Sequence, residues 1–289
     1  MKTAIVTASY SGDFERCRLL CESIDRRVSG YTFHYILVEP ADVELFRQLA
    51  GPKRVILDER ELLPSWLRVV PDPTRLGRRR LWISTRGLPL RGWHVQQLRK
   101  IAFAARMEED GALFCDSDTV LVRETDVSEQ WDTEGRLAFY RKPRGISLDM
   151  AEHRIWASRA GALLGIDPQQ VSDTDYIAQS VSWRSDTARE MVGRIEDTMG
   201  RSWVSAVAAR RRFSECLIYG RFVDEVENRP DRHLKVETSV CHSYWMGSAL
   251  DAQHLRSFIQ TASPQQPMVG IQSFIGTDVA LIRQLTGLA

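Results

Sequence analysis

The sequence predicts a single α/β domain of 289 residues, built on a central, mostly parallel sheet flanked by helices. Short apolar runs typical of strands alternate with amphipathic segments typical of helices over the first half of the chain. Strands separated by helices usually pair in parallel, because the chain crosses back over the sheet between them. Apolar residues make up 43% of the chain, enough for a large core. These observations favour a Rossmann-like fold.

The individual elements follow from local patterns. Apolar and β-branched runs predict strands at residues 2–8, 32–38, 54–57, 112–115, 137–140 and 176–183. Apolar residues recurring at three and four predict helices at residues 13–27, 41–49, 93–107, 153–164, 187–199 and 214–226, and two more in the tail after residue 241. Asp13 and Ser214 are the expected N-caps of their helices.

Residues 58–92 interrupt this alternation with several prolines and glycines. We expect a packed excursion there, because Trp66 and Trp82 need burial, and excursions of this length are often functional. Its basic run, Arg78-Arg79-Arg80, is either a mobile flap over the substrate or a solvated loop.

Bulk properties exclude several classes of protein. The net charge of +1 predicts no general attraction to nucleic acid. Five cysteines without a Cys-x-x-Cys pair disfavour a disulfide framework or a zinc ribbon, and favour reduced thiols in the cytoplasm. The first apolar run is too short for a signal peptide, and we expect no transmembrane helix. Trp66, Trp82 and the arginine run leave a peripheral contact with lipid headgroups open.

The most informative segment is Asp116-Ser117-Asp118, which directly follows the apolar strand at 112–115. Ligand sites of open α/β sheets lie at this carboxyl edge. Two neighbouring carboxylates repel each other unless a cation compensates them, and their hard oxygens suit Mg²⁺ or Mn²⁺. A solvated turn with two aspartates is the simpler alternative.

The order of elements around this motif resembles the GT-A glycosyltransferases, nucleotide-diphospho-sugar transferases with an Asp-x-Asp motif. The chain also resembles a little-characterised bacterial GT-A-like group in five segments, at residues 4–9, 93–100, 114–118, 214–219 and 241–244. The resemblance implies a GT-A fold whose residues 1–125 bind the nucleotide sugar, with residues 126–289 forming the acceptor half and the tail.

The resemblance also implies roles for single residues. Asp118 would bind Mn²⁺ or Mg²⁺ directly, and Asp116 would contact the donor ribose or reach the metal through water. With Ser117 between them, they would hold the donor diphosphate. Residues Thr7, Ala8 and Ser9 match the family's site for the nucleotide base, on which Tyr10 is expected to stack; ordinary strand-end turn chemistry is the alternative.

Three further positions carry candidate ligands. Gln96, Gln97 and Lys100 lie on one helix just before the acidic strand, where the lysine would face the diphosphate and an amide would bind sugar hydroxyls or the base. A solvated helix face is the alternative. His242 matches the C-terminal histidine that completes the metal sphere or contacts the diphosphate in many GT-A enzymes, although most single histidines are structural.

Glu215 is the candidate catalytic base, because inverting transfer needs a group that takes the proton of the acceptor hydroxyl. A carboxylate in the first turn of a helix is also simply stabilised there. Asp173 and Asp175 are alternatives for the base, and the sequence leaves the stereochemistry open, with inverting chemistry preferred.

The sequence therefore predicts a metal-dependent glycosyltransferase of bacterial glycan or glycoconjugate assembly, with a UDP- or GDP-linked donor and a glycan or glycoconjugate acceptor. Three other classes remain open. The strand and Asp-x-Asp-x-Thr pattern also fits a haloacid-dehalogenase-type phosphatase with Asp116 as nucleophile. A nucleotidyltransferase and a non-catalytic sugar-binding protein are the others.

Overall fold

The computed structural model describes residues 1–75 and 79–288. Arg78 of the predicted basic flap therefore lies outside the described residues. Within the described residues, each helix is too short or too polar to span a lipid bilayer.

The secondary structure of the described residues follows the predicted alternation in the first half. The strands are β1 (Thr3–Ala8), β2 (Val28–Ser29), β3 (His34–Val38), β4 (Arg54–Asp58), β5 (Arg68–Pro71), β6 (Arg80–Ile83), β7 (Leu90–Arg91), β8 (Gly111–Cys115), β9 (Thr119–Leu121), β10 (Thr125–Asp126), β11 (Leu137–Tyr140), β12 (Ser180–Arg184), β13 (His233–Val236), β14 (Cys241–Tyr244) and β15 (Met268–Ile271). The α-helices are α1 (Phe14–Arg27), α2 (Val43–Phe46), α3 (Gly92–Ala104), α4 (Ala151–Leu164), α5 (Ser185–Met199), α6 (Trp203–Ala208), α7 (Glu215–Phe222), α8 (Ala252–Thr261) and α9 (Val279–Leu285). A π-helical segment, Val223–Glu227, continues α7.

The central sheet has five strands in the order β12-β8-β1-β3-β4. β1 pairs in parallel with both β3 and β8, and β3 pairs in parallel with β4. The edge strand β12 runs antiparallel to β8. The predicted α/β class with a central, mostly parallel sheet is therefore confirmed, and the antiparallel edge brings a strand of the second half of the chain into the same sheet.

Helices cover both faces of this sheet. As a consequence, β1 is buried on both sides along its whole length. Ile5 belongs to a buried cluster with Leu20 of α1. The adjacent residues Ala4 and Val6 point the opposite way and belong to the larger cluster that contains Leu98 of α3. The alternation along β1 therefore places α1 on one face and α3 on the other.

The excursion between β4 and α3 forms a small antiparallel sheet of β5, β6 and β7. Trp82 of β6 is buried, and its indole Nε1 donates to Glu59 Oε1 at 2.7 Å. Arg80 lies 3.4 Å from a carboxylate oxygen of Glu39. The excursion is thus attached to the carboxyl edge of the central sheet, next to the ends of β3 and β4.

The tail contains the two predicted helices, α8 and α9, and also two strands that the sequence pattern did not reveal. β14 pairs in parallel with β15, and β15 pairs antiparallel with β9. The sequence of β14, Cys-His-Ser-Tyr, has no β-branched residue and no apolar alternation, so it carries no strand signal. This sheet brings the tail beside the acidic motif, because β9 begins directly after Asp118.

Two predicted local features differ from the structure. The side chain of Asp13 does not cap α1, which is preceded by a 3₁₀ turn at Ser11–Asp13. The strand predicted at 176–183 begins only at Ser180 and continues to Arg184. In contrast, Ser214 caps α7 as predicted, its hydroxyl accepting from the backbone N–H of Leu217.

Candidate functional site

The acidic motif forms a tight turn between β8 and β9 at the carboxyl edge of the sheet. Both the backbone N–H and the hydroxyl of Thr119 donate to the carbonyl of Asp116, at 3.1 and 2.8 Å. The N–H of Asp116 donates to the carbonyl of Gln179 at 2.9 Å, which ties the turn to the residue preceding β12. These bonds fix the backbone from which the two carboxylates project.

Lys100 joins Asp116 to Glu215. Its ammonium nitrogen lies 2.8 Å from Asp116 Oδ1 and 3.3 Å from Glu215 Oε1. Lys100 and Glu215 are buried. Burial by itself would lower the pKa of Lys100, but the two carboxylates outweigh it and raise that pKa above its usual value. Gln97 supports the cluster, because its Oε1 accepts from the backbone N–H of Glu215 at 3.0 Å.

Asp118 lies on the other side of the turn and accepts two hydrogen bonds. Gln179 Nε2 donates to Oδ1 and the backbone N–H of Ser273 donates to Oδ2, both at 2.9 Å. Burial and then the negative charges of Asp116 and Asp13 raise the pKa of Asp118 to about 7, against the opposing effect of the hydrogen bonds. Asp118 is therefore a carboxylate whose charge the protein itself compensates only in part.

Asp13 is a third acid near the motif. Its Oδ2 accepts from Ser117 Oγ at 3.4 Å, so the side chain expected to cap α1 faces the acidic turn instead. Burial, the largest influence, raises the pKa of Asp13, and the charge of Asp116 raises it further. Ser117, which was predicted to bind the donor, is thus buried between the two aspartates that follow β8 and Asp13, which directly precedes α1.

The arrangement fits a divalent cation that completes its sphere with substrate oxygens. The described residues contain no group of three or more histidines, cysteines or carboxylates able to form an all-protein metal cage. Asp116 and Asp118 remain as candidate ligands, and the adjacent buried Gln179 Oε1 has no hydrogen-bond partner. Mg²⁺ is commonly held by one or two carboxylates together with phosphates and water, so the donor set suits such an ion.

The structure does not bring His242 to these acids. Its ring stacks on Phe258 with centroids 4.4 Å apart, and its Nε2 hydrogen-bonds with the hydroxyl of Thr261 at 3.1 Å. The neighbouring Cys241 is buried on the opposite side of β14, in one cluster with Cys115 of β8. Side chains alternate along a strand, so His242 projects away from the side on which Cys241 packs beside the strand that carries the acidic turn.

The residues predicted to bind the base differ in their accessibility. Thr7 and Ala8 are buried within β1, and the hydroxyl of Thr7 lies 3.0 Å from His34 Nε2. Ser9 is also buried, whereas the ring of Tyr10 is 47% exposed just beyond the strand. Burial and the charge of Asp13 raise the pKa of Tyr10. Of these four residues, Tyr10 presents the most accessible surface to a ligand.

The remaining candidate ligands and bases differ in their exposure and in the hydrogen bonds that they make with neighbouring residues. Gln96 is partly exposed on α3. Asp175 Oδ1 accepts from the N–H of Ile177 at 3.1 Å, and its backbone pairs with Lys142. The carbonyl of Asp173 accepts from Ile146 at 2.8 Å. Glu215 contacts the Lys100–Asp116 pair directly, which neither Asp173 nor Asp175 does in the described structure.

A buried ion pair that the sequence reading did not single out lies beside the end of β1. Arg99 Nε donates to Glu59 Oε2 at 2.8 Å, and Arg99 Nη1 donates to the carbonyl of Ser9 at 3.4 Å. Both charged side chains are buried, and Trp82 completes the cluster through Glu59. The available signal was a charged residue between Leu98 and Ile101 on the apolar side of α3.

A protein-family model matches residues 2–286, and its description is "Family of unknown function (DUF6492)". The chain belongs to the DUF6492 family. A comparison of this DUF6492 protein with curated proteins found no match.

Among solved structures, the chain is similar to the apo-form glycosyltransferase GlyE of Streptococcus pneumoniae TIGR4. The alignment has 12% sequence identity and a TM-score of 0.45, and it covers 93% of this chain and 54% of the GlyE chain. The DUF6492 chain thus spans about half the length of that structure.

Proposed function

We propose that the protein is a metal-dependent GT-A glycosyltransferase that moves a sugar from a nucleotide diphosphate to a hydroxyl acceptor. The observation that carries the proposal is the meeting of Lys100, Asp116 and Glu215 at the carboxyl edge of a parallel sheet. These residues come from three separate segments of the chain. The ammonium group of Lys100 would provide positive charge for a diphosphate, and the carboxylate of Glu215 would take up a proton. Both functions would therefore lie in one place, beside the acidic turn.

The acidic turn is the proposed diphosphate site. Asp118 would bind Mn²⁺ or Mg²⁺ directly, and Asp116, already paired with Lys100, would contact the metal through water or the donor ribose. The bound ion would supply positive charge to the diphosphate as it leaves. Gln179 and the N–H of Ser273 hold the Asp118 carboxylate in a fixed orientation, which keeps its oxygens directed at one position.

Glu215 is the proposed base in an inverting reaction. Its backbone is fixed by Gln97, and its carboxylate faces the ammonium of Lys100. A carboxylate so placed accepts the proton of the acceptor hydroxyl while the oxygen attacks the anomeric carbon. Lys100 stabilises the negative charge that develops on the departing diphosphate. Tyr10, exposed beyond β1, would stack on the nucleotide base.

A thermal-shift experiment with UDP and GDP, each with and without Mn²⁺, tests the proposal. One of the nucleotides at a hundred times its Kd should raise Tm by about 5 °C, and only with the metal. Asp118→Asn should abolish this shift. The matched control, Asp231→Asn, changes an exposed aspartate paired with Arg229 and should keep it. A wild-type protein that no nucleotide stabilises with Mn²⁺ would refute the proposal.

Three further measurements test the role of Glu215 and separate the rival classes. Glu215→Gln should retain the nucleotide shift but lose transfer, which assigns the residue to chemistry rather than donor binding. Hydrolysis of p-nitrophenyl phosphate that disappears in Asp116→Asn would instead indicate a phosphatase. Metal-independent binding of free sugar by a protein that binds no nucleotide would indicate a sugar-binding protein.

A further inference from the structure

An aromatic surface lies near the start of α3. The indole ring of Trp93 is 48% exposed and lies beside that of Trp156 on α4, with centroids 5.5 Å apart and planes 39° apart. The imidazole of His153 lies 4.9 Å from Trp156 on the same surface. A single exposed aromatic residue is common, but neighbouring rings with an open face form a larger surface that a ligand can cover.

The position of this surface relative to the site follows from helix geometry. Trp93, Gln97 and Lys100 lie at positions i, i+4 and i+7, so they share one face of α3. Lys100 is seven positions after Trp93, which is about 10 Å along the helix axis. Lys100 meets Asp116 at the carboxyl end of β8, so earlier residues of α3 lie beyond that edge of the sheet.

The exposure of the side chains along this helix face decreases from Trp93 towards Lys100. Trp93 is exposed, while Gln97 and Lys100 are buried. Gln97 bonds to the start of α7 through Glu215, and its Nε2 also donates to the carbonyl of Trp93 at 3.4 Å. Gln97 therefore links the backbone of Trp93 directly to the proposed base by hydrogen bonds, and the exposed indole lies on the same helix face, further from the sheet.

We propose that Trp93 and Trp156 form a stacking platform for a pyranose ring of the acceptor glycan, an inference that rests on the proposed glycosyltransferase function. A pyranose has a face of weakly positive C–H groups that suits the negative face of an indole. Its hydroxyls need polar neighbours, which the surroundings provide in His153, the partly exposed Gln96 and the ion pair of Glu152 with Arg212. A sugar, apolar on one face and polar at its rim, matches this surface better than a lipid chain.

The platform is suited to stacking because its members are held in place. Trp156 is half-buried and packs against the main hydrophobic core. Trp93 also contacts the ring of His94, with centroids 5.3 Å apart, and His94 in turn lies 5.8 Å from Phe213, just before α7. Little conformational entropy remains to be lost when a sugar covers the open face.

The test measures binding of defined sugars to the full chain without nucleotide. The probes are the methyl glycosides of glucose, galactose, mannose and N-acetylglucosamine, with cellotetraose and maltotetraose. Saturation-transfer NMR should show contact to the C–H protons of one sugar face. Trp93→Ala should weaken binding about tenfold, the value of one stacking contact, and Trp93→Phe should retain part of it. Trp156 is less suitable for substitution because it also packs in the core.

The matched control is Phe33→Ala, which removes an aromatic ring of similar exposure, 40%, just before β3 at the opposite edge of the sheet. It should bind every probe as the wild type does. The inference is overturned when none of the sugars binds, when Trp93→Ala binds them unchanged, or when Trp93 is needed for phosphatidylglycerol vesicles and not for sugars. A metal-dependent nucleotide shift in the same wild-type preparation would then show that the proposed function stands without the platform. Sugar binding through Trp93 without any nucleotide shift would count against glycosyl transfer instead.

Discussion

Lys100 compensates two carboxylates that reach it from different directions. Asp116 follows β8, and Glu215 begins α7, so their negative charges would face each other without the ammonium between them. Removing one partner of a buried ion pair leaves an uncompensated charge, which costs more than the pair contributes relative to apolar residues. Lys100 is therefore expected to stabilise the fold as well as to serve the substrate.

Lys100→Met keeps the volume of the side chain and removes its charge. We expect the free energy of unfolding at pH 7 to fall by about 2–3 kcal/mol, towards the lower end for a buried pair because Asp116 is partly exposed. Urea denaturation followed by circular dichroism, with EDTA present to remove metal ions, measures the change. The double variant Lys100→Met/Glu215→Gln should recover part of the loss. A single variant as stable as the wild type would show that the carboxylates need no compensation.

Single residues show which parts of the candidate site can be predicted from the sequence. The types of Lys100, Asp116 and Glu215 indicated chemistry, but Lys100 and Glu215 meet only through packing between segments more than a hundred residues apart. His242 illustrates a different limit. Its role depended on the side of β14 from which it projects, and a strand without apolar alternation gives no evidence on that side. The structure packs Cys241 in one cluster with Cys115, which directly precedes the acids, and directs His242 towards Phe258.

Among the helices, α7 connects the site to the core. Its first residue is Glu215, and Gly220 lies one and a half turns later against the ring of Tyr176. A Cβ at position 220 would come within 2.1 Å of that ring. The Tyr176 hydroxyl donates to Asp224 Oδ2 at 2.8 Å, which restricts the movement of the ring. The close approach therefore requires glycine although glycine weakens a helix.

Gly220→Ala should destabilise the protein by about 1–3 kcal/mol, because the overpacked ring has to shift. The control is Gly193→Ala within α5, where an added Cβ has no atom within 4 Å. Helix propensity alone makes alanine better by about 1 kcal/mol at both positions. Opposite signs in urea denaturation would confirm that packing decides at position 220. Equal stabilisation of both variants would contradict the close approach of α7 to Tyr176.

At the scale of the whole molecule, the alternation of strands and helices was enough to predict the mostly parallel sheet. It could not predict which later segments join that sheet. β12 pairs with β8 across about 65 residues of intervening chain, and β15 pairs with β9 across nearly 150. Such pairings depend on which strand edges the other strands leave open in the folded sheet, and no local sequence pattern records this. Gln179 and Ser273 reach Asp118 through these two pairings.

The expected division into residues 1–125 and 126–289 within one domain can be tested by separating the two parts. Residues 1–125 alone would leave β8 and β9 unpaired on the sides now covered by β12 and β15 and would expose Phe114, whose ring lies 5.0 Å from Trp183. We therefore expect this fragment to lack a cooperative unfolding transition and a dispersed NMR spectrum. The full chain should unfold in one transition, with coincident curves from circular dichroism and tryptophan fluorescence. Adding residues 126–289 as a separate chain should restore structure if the interleaved strands are what the fragment lacks. A fragment that melts cooperatively by itself would instead show that the nucleotide-binding half is an independent domain.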